Sequence, residues 1–487
     1  MALLGIDLGT SSVKVIILDT EGHTVSTSKA GYTVMTPQPG WSESDPNEWW
    51  SATVSAIQAA RAQAPQVAIT SIGLSGQMHG VVLTDENGLP VRPAMLWADT
   101  RAQDELDLYR MLPASLLERL ANPLVPGMAG PMLLWLAKHE AHSYNKARWA
   151  LQPKDWLRFR LTDEFVTDPS DASATLLYDL HIDGWADDVI AALSLKRHLL
   201  PPIIPSGAIA GRLSAGTAEA LGLSAGLLVA TGAADTAAAA LGAGLLVPGP
   251  LHLTLGTGAQ LVQICSTPEV SSGMHTHLYR AADDSNWYAM AAVQNAGLAL
   301  NWVCQMLNAS WDNLYASAAT VPPGADGLLF LPYLTRERPY RPALPSSGAF
   351  LGLRIDHRRE HLLHAALEGV AFGIRVALEA LPDAHKTTTL RLAGGGSEHP
   401  AWRQMLADIL NRELLTIDTP AASARGAALL GGIASGIWAD ALETASVAPR
   451  TSLVATPDTR RVAMYDRVYA RYIESVGKNT ASAKEPE

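Results

Sequence analysis

Cysteine is nearly absent: Cys265 and Cys304 are the whole complement of a 487-residue chain. Two thiols cannot build a disulfide framework or a four-thiolate zinc site. A reducing cytosol is therefore the expected compartment. An excess of positive charge is missing too. Lys and Arg number 36 against 47 Asp and Glu, for a net charge of −11. Such a surface repels phosphate backbones and anionic lipid, which argues against nucleic acid and membrane as partners. The start, Met-Ala-Leu-Leu-Gly-Ile-Asp, has no basic segment and no uninterrupted apolar run, so no secretory signal is expected there. Residues 236–268 carry no Asp, Glu, Lys or Arg, but Gly242, Gly244, Pro248, Gly249, Pro250, Gly256 and Gly258 interrupt them. That punctuation is wrong for a membrane helix and predicts a helix, a turn and a buried hairpin.

Three familiar catalytic motifs are also lacking. No G-x-x-x-x-G-K-[ST] occurs, which excludes a P-loop protein. His139-Glu140-Ala141-His142 misses the spacing of a zinc-protease helix. Gln77 stands where a nucleophile elbow around Ser75 would need glycine. What is abundant is apolar: 48% of residues are hydrophobic and only 17% charged, enough for a large core. The length suits two domains of roughly 200–250 residues each.

The first 35 residues read as a three-stranded meander: Leu3–Asp7, a Gly-Thr-Ser-Ser turn, Val13–Leu18, a Glu-Gly turn, and Thr24–Thr33. A helix is expected over Asn47–Ala62, started by Asp45 and Pro46, and a strand over Ile69–Ser75. The mixture indicates α/β layers. Near the middle the opening recurs. LLGIDLGTSSVKV at residues 3–15 matches LHLTLGTGAQLV at residues 251–262, and Asn286–Val293 follows the second copy as Thr24–Thr33 follows the first. Self-similarity at half the chain length predicts a duplicated domain, divided near Leu245–Gly249 into residues 1–246 and 247–475, with a polar, frayed tail at 476–487.

A glycine turn can aim backbone N–H groups at phosphate oxygens. Around Gly9, the hydroxyls of Thr10, Ser11 and Ser12 add donors and Lys14 adds charge, while Asp7 at the strand end can hold hydrated Mg²⁺. One such turn is equally an ordinary hairpin. The second copy at 255–258, with Thr257 and Gly258 but Thr254 in place of the carboxylate, favours a polyphosphate gripped from two sides. Gly394-Gly395-Gly396 leads from an apolar strand into a helix over Pro400–Leu410 and offers bare backbone to a flat ring, or is a plain flexible turn. Asp235, at a small-residue turn before Ala237–Leu241, reads either as a helix N-cap or as a general base for an alcohol beside the domain boundary. Met78-His79 and Trp97-Ala98-Asp99 lie on polar tips after strands, where open α/β sheets bind ligands.

In order, DLGTSSVK, WSESDPNEWW, SGQMHG, LWADTR, KDWLR, SDASAT, TGAADTAAAALGAG, LGTGAQ, LPYLTRERPY, LEGVAFGIR and GGGSEHPAWRQMLADIL make a set that resembles the FGGY carbohydrate kinases over nearly the whole chain. QMHG, the WSE-DP-WW segment and the WRQMLADI tail are most similar to the family's xylulokinase branch. The resemblance implies two actin-like (ribonuclease H-like) α/β domains around a cleft, Mg²⁺ and ATP as cofactors, and transfer of a γ-phosphoryl group to a sugar, D-xylulose above all. It implies Asp235 as catalytic base and sugar ligand, Met78, His79, Trp97 and Asp99 as substrate contacts, and Asp7 as the metal-associated carboxylate. It assigns Thr10, Ser11, Ser12 and Lys14 to the first phosphate loop, and Thr257 and Gly258 to the second. Gly297 and Asn301 fall in the nucleotide pocket, and Gly395 and Gly396 in the adenosine loop. Homodimers are common among such relatives. Four departures bear on the acceptor: Thr236 and Ala98 where amides are usual, LGTGA for LGTSG, and Arg336 where glycine is usual. They keep ribulose, a pentitol, glycerol and gluconate in play. From another class, a filament-forming or chaperone ATPase shares the paired Gly-Thr turns without needing Met78, His79 and Asp235 around one cleft.

Overall fold

The computed structural model describes residues 1–269, 276–335 and 347–482, with side chains to 478. Arg336, Glu337 and Arg338 lie outside the described residues. The opening meander forms as its alternation dictates. Strands β1 (Ala2–Leu8), β2 (Ser12–Asp19) and β3 (Thr24–Gly31) pair antiparallel, and one more strand, β4 (Ile69–Gly76), adds parallel to β1. Helix α1 (Pro46–Gln63) fills the crossover, with the Asp45 side chain accepting from the Asn47 N–H at its start. β5 (Ile209–Arg212), β6 (Leu228–Ala230) and the short β7 (Ala233–Ala234) complete a seven-stranded sheet.

The same topology is then laid down again. β8 (Leu251–Leu255) and β9 (Ala259–Cys265) repeat the first hairpin, and β11 (Trp287–Val293) takes the place of β3 beyond an extra edge strand, β10 (His277–Arg280). β12 (Thr389–Ala393) runs parallel to β8, β13 (Glu413–Ile417) runs parallel to β12, and β14 (Thr451–Ala455) closes the edge antiparallel. Register makes the repeat chemical as well as topological. Asp7 faces Lys14 in the first hairpin, and Thr254 faces Gln260 in the second.

Two helices join the halves: α3 (Asp235–Gly242) and α8 (Ala422–Ala434). They are built of Ala and Gly because backbone must touch backbone. A Cβ on Gly73 would sit 1.7 Å from the Ala427 carbonyl oxygen, and one on Gly426 would sit 1.8 Å from that of Ala238. The segment without charges is thus α3, a turn and the β8–β9 hairpin, as its punctuation predicts. Among the described residues, the one helix long and apolar enough to cross a membrane is a different one, Arg359–Glu379, and it is mostly buried inside the protein. The expected fraying of the C-terminal tail is a misreading for its first part. The last helix, Thr459–Ser482, runs on well past Val476, which is itself buried.

Gly73→Ala should cost about 2–3 kcal/mol in urea denaturation, because the overpacked methyl must push α8 off the sheet. Gly216→Ala, in the short helix Ala215–Leu221 where a methyl meets nothing within 4 Å, should instead gain about 0.5–1 kcal/mol. Equal responses at the two sites would contradict this packing.

Candidate functional site

The two Gly-Thr turns face a common cleft. A cavity of about 650 Å³ is lined by Thr10 from the first turn, by Gly256, Thr257 and Gly258 from the second, and by Met78, His79, Trp97 and Asp235. A second cavity of about 540 Å³ lies on the other side of the second turn. Gly297, Asn301, Gly395 and Gly396 line it together with Trp311, Tyr315 and Trp402. Gly256 and Thr257 line both spaces, so one loop divides and connects them.

Glycine backbone and aromatic rings line the second cavity together. Its carriers are local. Gly297 opens α4 (Gly297–Met306), and the glycines between β12 and α7 (Pro400–Leu410) leave Gly395 with open space over its α-carbon. Tyr315 is held by stacking on His399, ring centroids 4.2 Å apart.

Asp235 is the first residue of α3, not its cap. Ala234 occupies the cap position, and no side chain caps the helix. This corrects the plainer reading of that aspartate: its carboxylate is free to face the cavity. Burial pushes the Asp235 carboxyl up to about 7, the negative charge on Asp7 adds to the rise, and hydrogen bonds from the backbone and hydroxyl of Thr236 oppose it. The Asp7 carboxyl is also raised by burial, while the Ser75 hydroxyl, 3.0 Å from its Oδ1, and the nearby Lys14 pull it down. Two mutually repelling carboxylates are a hard-oxygen pair that a divalent cation would relieve. No cluster of three or more His, Cys, Asp or Glu that could cage a metal occurs among the described residues. The donor set therefore fits an ion that keeps most of its water and is carried in on a phosphate chain.

What holds Asp235 in place is a cluster of charges sealed beneath it. Lys154, on α2 (Pro153–Thr162), reaches Asp155 at 2.6 Å, Asp168 at 3.0 Å and Asp171 at 3.2 Å, all fully buried. Arg158 adds a bond to Asp155 at 2.7 Å and another to the Thr231 carbonyl at 3.1 Å. Burial pushes the Asp171 carboxyl up, Lys154 pulls it down, and the charges of Asp168 and Asp155 add to the rise. Asp168 accepts from the Ser170 hydroxyl, and Ser170 Oγ accepts the Ala234 N–H at 2.9 Å. The residue before Asp235 is thereby pinned to the cluster. The KDWLR and SDASAT segments carry no role in the sequence reading; here they are the foundation of the turn.

The remaining expectations divide. Met78 is buried, with the Tyr288 hydroxyl 3.6 Å from its sulfur. His79 takes a left-handed backbone, φ 72°, and its Nδ1 lies 2.7 Å from the Ala174 carbonyl, which aims the ring at the cavity wall. The indole of Trp97 donates to the Thr10 hydroxyl at 2.9 Å. Asp99 is not among the residues that line the cavity. It is buried, accepting from the Ser42 N–H and from Arg101 through Nε and Nη2. Of the first turn, only Thr10 lines the cleft. Ser11 and Ser12 do not, and Lys14 lines a separate cavity of about 370 Å³ with Lys29 and Arg425. Asp7 is not among the lining residues, but its charge acts on Asp235, which is. The sequence reading missed Gln260, Met290 and Gln294, which line the cleft from the second half. The alternation along β9 and β11 was the available signal for Gln260 and Met290.

The FGGY family of carbohydrate kinases matches through its N-terminal domain at residues 2–242 and its C-terminal domain at residues 251–435. The chain is 34% identical to the xylulose kinase of Klebsiella pneumoniae, covering 95% of this chain and 96% of that protein. It is 31% identical to the xylulose kinase of Bacillus subtilis, covering 96% and 95%. A crystal structure of a xyloylose kinase from Brucella ovis superposes with a TM-score of 0.92 at 35% identity, covering 99% of this chain and 100% of that one.

Asp7→Asn should lower the Asp235 carboxyl by about one pKa unit, since it deletes the repelling charge but leaves burial in place. Carbon-13 NMR of labelled aspartate carboxyls reads this directly. An unmoved Asp235 titration would mean that Asp7 exerts no influence there.

Proposed function

The chain belongs to the FGGY family of carbohydrate kinases, and from that membership we propose that it transfers the γ-phosphoryl group of ATP to the terminal hydroxyl of D-xylulose. The observation that carries this reading is the shared loop: Gly256 and Thr257 line both the aromatic-walled cavity and the cavity that holds Asp235. A nucleotide whose base lies between Gly395, Gly396 and Trp402 would run its phosphates past this loop toward the sugar. The relatives named as xylulose kinases, similar over nearly their whole length, support the acceptor.

In this reading the chain's own groups act as follows. Met78, His79 and Trp97 shape the sugar side of the cleft. Asp235 accepts the proton of the attacking hydroxyl as the new O–P bond forms and the bond between the γ-phosphorus and the β-γ bridging oxygen breaks, with ADP leaving. Backbone N–H groups of the two turns, with the Thr10 and Thr257 hydroxyls, receive the charge that moves onto the transferred oxygens. When bound, Mg²⁺ would neutralise triphosphate charge, held near Asp7 with Asp235 as its neighbour. Closure of the two halves would exclude water and protect ATP from hydrolysis. Two unpaired thiols and an acidic surface suit a cytoplasmic setting.

Asp235→Ala should reduce turnover about 10²-fold or more while ATP still binds, the scale of losing a general base. Near-normal turnover would reject the role. In the native enzyme only the deprotonated carboxylate can accept a proton, so kcat/KM should rise with pH through an apparent pKa near 7, the value to which Asp235 is pushed. A coupled assay across ketoses, polyols and aldonates should give D-xylulose the highest kcat/KM. A better polyol or aldonate would reassign the acceptor, and ADP release indifferent to all of them would reject the kinase reading.

A further inference from the structure

A third cavity, of about 370 Å³, shares no lining residue with the cleft or the aromatic-walled cavity. Its size falls in the range of small-molecule sites, about 300–1,000 Å³. Lys14, Thr27 and Lys29 line it from β2 and β3 of the first half; Asp418, Thr419 and Arg425 line it from the segment after β13 and from α8 of the second. Lys14 and Lys29 stand directly opposite each other in the β2–β3 ladder. Like charges so placed repel, a cost that an anion between them would remove. Neither lysine forms an ion pair among the described residues, nor does Arg425, although the charge of Asp19 bears on it. The lining thus sets three cations against one carboxylate, Asp418. Arg425 is only 8% exposed. Its Nη1 donates to the Gly22 carbonyl at 2.6 Å and its Nη2 to the Val447 carbonyl. Its Nε is buried without a hydrogen-bond partner, and so is the Thr419 hydroxyl oxygen. α8 starts at the same place. Ala421 is its cap residue and lines the cavity, and no side chain caps the helix. The positive end of the helix dipole adds to the field of the three cations.

We propose that this cavity is a binding site for a small sugar phosphate, separate from the catalytic cleft. The phosphate dianion answers the facing lysines, the unpartnered Arg425 Nε–H and the start of α8. Asp418 can only accept hydrogen bonds, and its charge opposes a bare anion. It suits sugar hydroxyls instead, with the Thr27 and Thr419 hydroxyls beside it. Because both halves line the cavity, an occupant ties β2 and β3 to the start of α8. It therefore favours the spacing of the halves seen here over any in which they part. The inference depends neither on the role of Asp235 nor on the identity of the phosphoryl acceptor.

The test is isothermal titration calorimetry of the full chain with D-ribose 5-phosphate, and with inorganic phosphate and D-ribose as its two parts. Lys29 is the discriminating residue: it is exposed on the edge strand β3, lines this cavity and does not line the cleft. Lys29→Gln should weaken D-ribose 5-phosphate about tenfold, the scale of one charge-assisted hydrogen bond, and Lys29→Glu about a hundredfold. Thr419→Val, which keeps the shape and removes the unpartnered hydroxyl, should weaken it about threefold. Thr257→Val, in the cleft, should leave this binding unchanged. Inorganic phosphate should bind at least about tenfold more weakly than the sugar phosphate, and D-ribose should give no heat that Lys29→Glu alters. Affinity unaffected by Lys29→Glu, or lost in Thr257→Val instead, would overturn the site. Equal affinity for inorganic phosphate and D-ribose 5-phosphate would overturn the assignment to a sugar phosphate.

Discussion

The close crossing of two small-residue helices governs this molecule. α3 and α8 touch backbone to backbone, and α8 lies on the first sheet with the Ala427 carbonyl over Gly73. A Cβ at Gly73 or Gly426 would wedge the halves apart. With glycine there, the strand ends of the two sheets face each other and the two Gly-Thr turns share one cleft. Arg391 ties the second sheet to the same joint by donating to the Ala243 and Gly244 carbonyls at the end of α3. The start of α3 is Asp235. The element that joins the halves therefore also presents the carboxylate, so a movement at the joint is felt at the site.

Electrostatics then differentiates the two ends of that joint. Under Asp235 lies a sealed set of charges around Lys154, which fixes Ala234 through Ser170 and gives the turn rigidity. Above it lies an open space, where Asp7 and burial leave Asp235 poised near neutrality. Groups that must not move are neutralised inside the protein. The group that must exchange a proton is left with its charge only partly compensated.

Much of this was legible in the chain because it is local. Hairpins follow from alternation and turn residues, and the duplicated Leu-Gly-Thr predicted a repeat, which appears as six strands in the same order in both sheets, with β10 added at the edge of the second and β7 left over in the first. Asp235 stood out because small residues around a carboxylate are unusual. Facts that depend on register and long-range pairing were hidden. Lys14 reads as a phosphate ligand by proximity to Gly9; its place on β2 also brings it to a cavity that Lys29 and Arg425 line. Asp99 reads as a cleft residue, and its bond to Arg101 two positions on was not legible. Gln260 reads as one polar residue in an apolar strand, and only the pairing of β8 with β9 and the position of α3 bring it to Thr236. The Lys154 cluster looks like the polar side of an ordinary helix until Asp168 and Asp171 fold over it.

The most direct measurement is a crystal structure of the ternary complex with D-xylulose and a non-hydrolysable ATP analogue. The account predicts the base against Gly395 and Gly396, the phosphates passing Thr257 toward Thr10, and a sugar hydroxyl within hydrogen-bond distance of Asp235 and in line with the γ-phosphorus. A sugar bound away from Asp235, or a triphosphate that bypasses the second Gly-Thr turn, would contradict it.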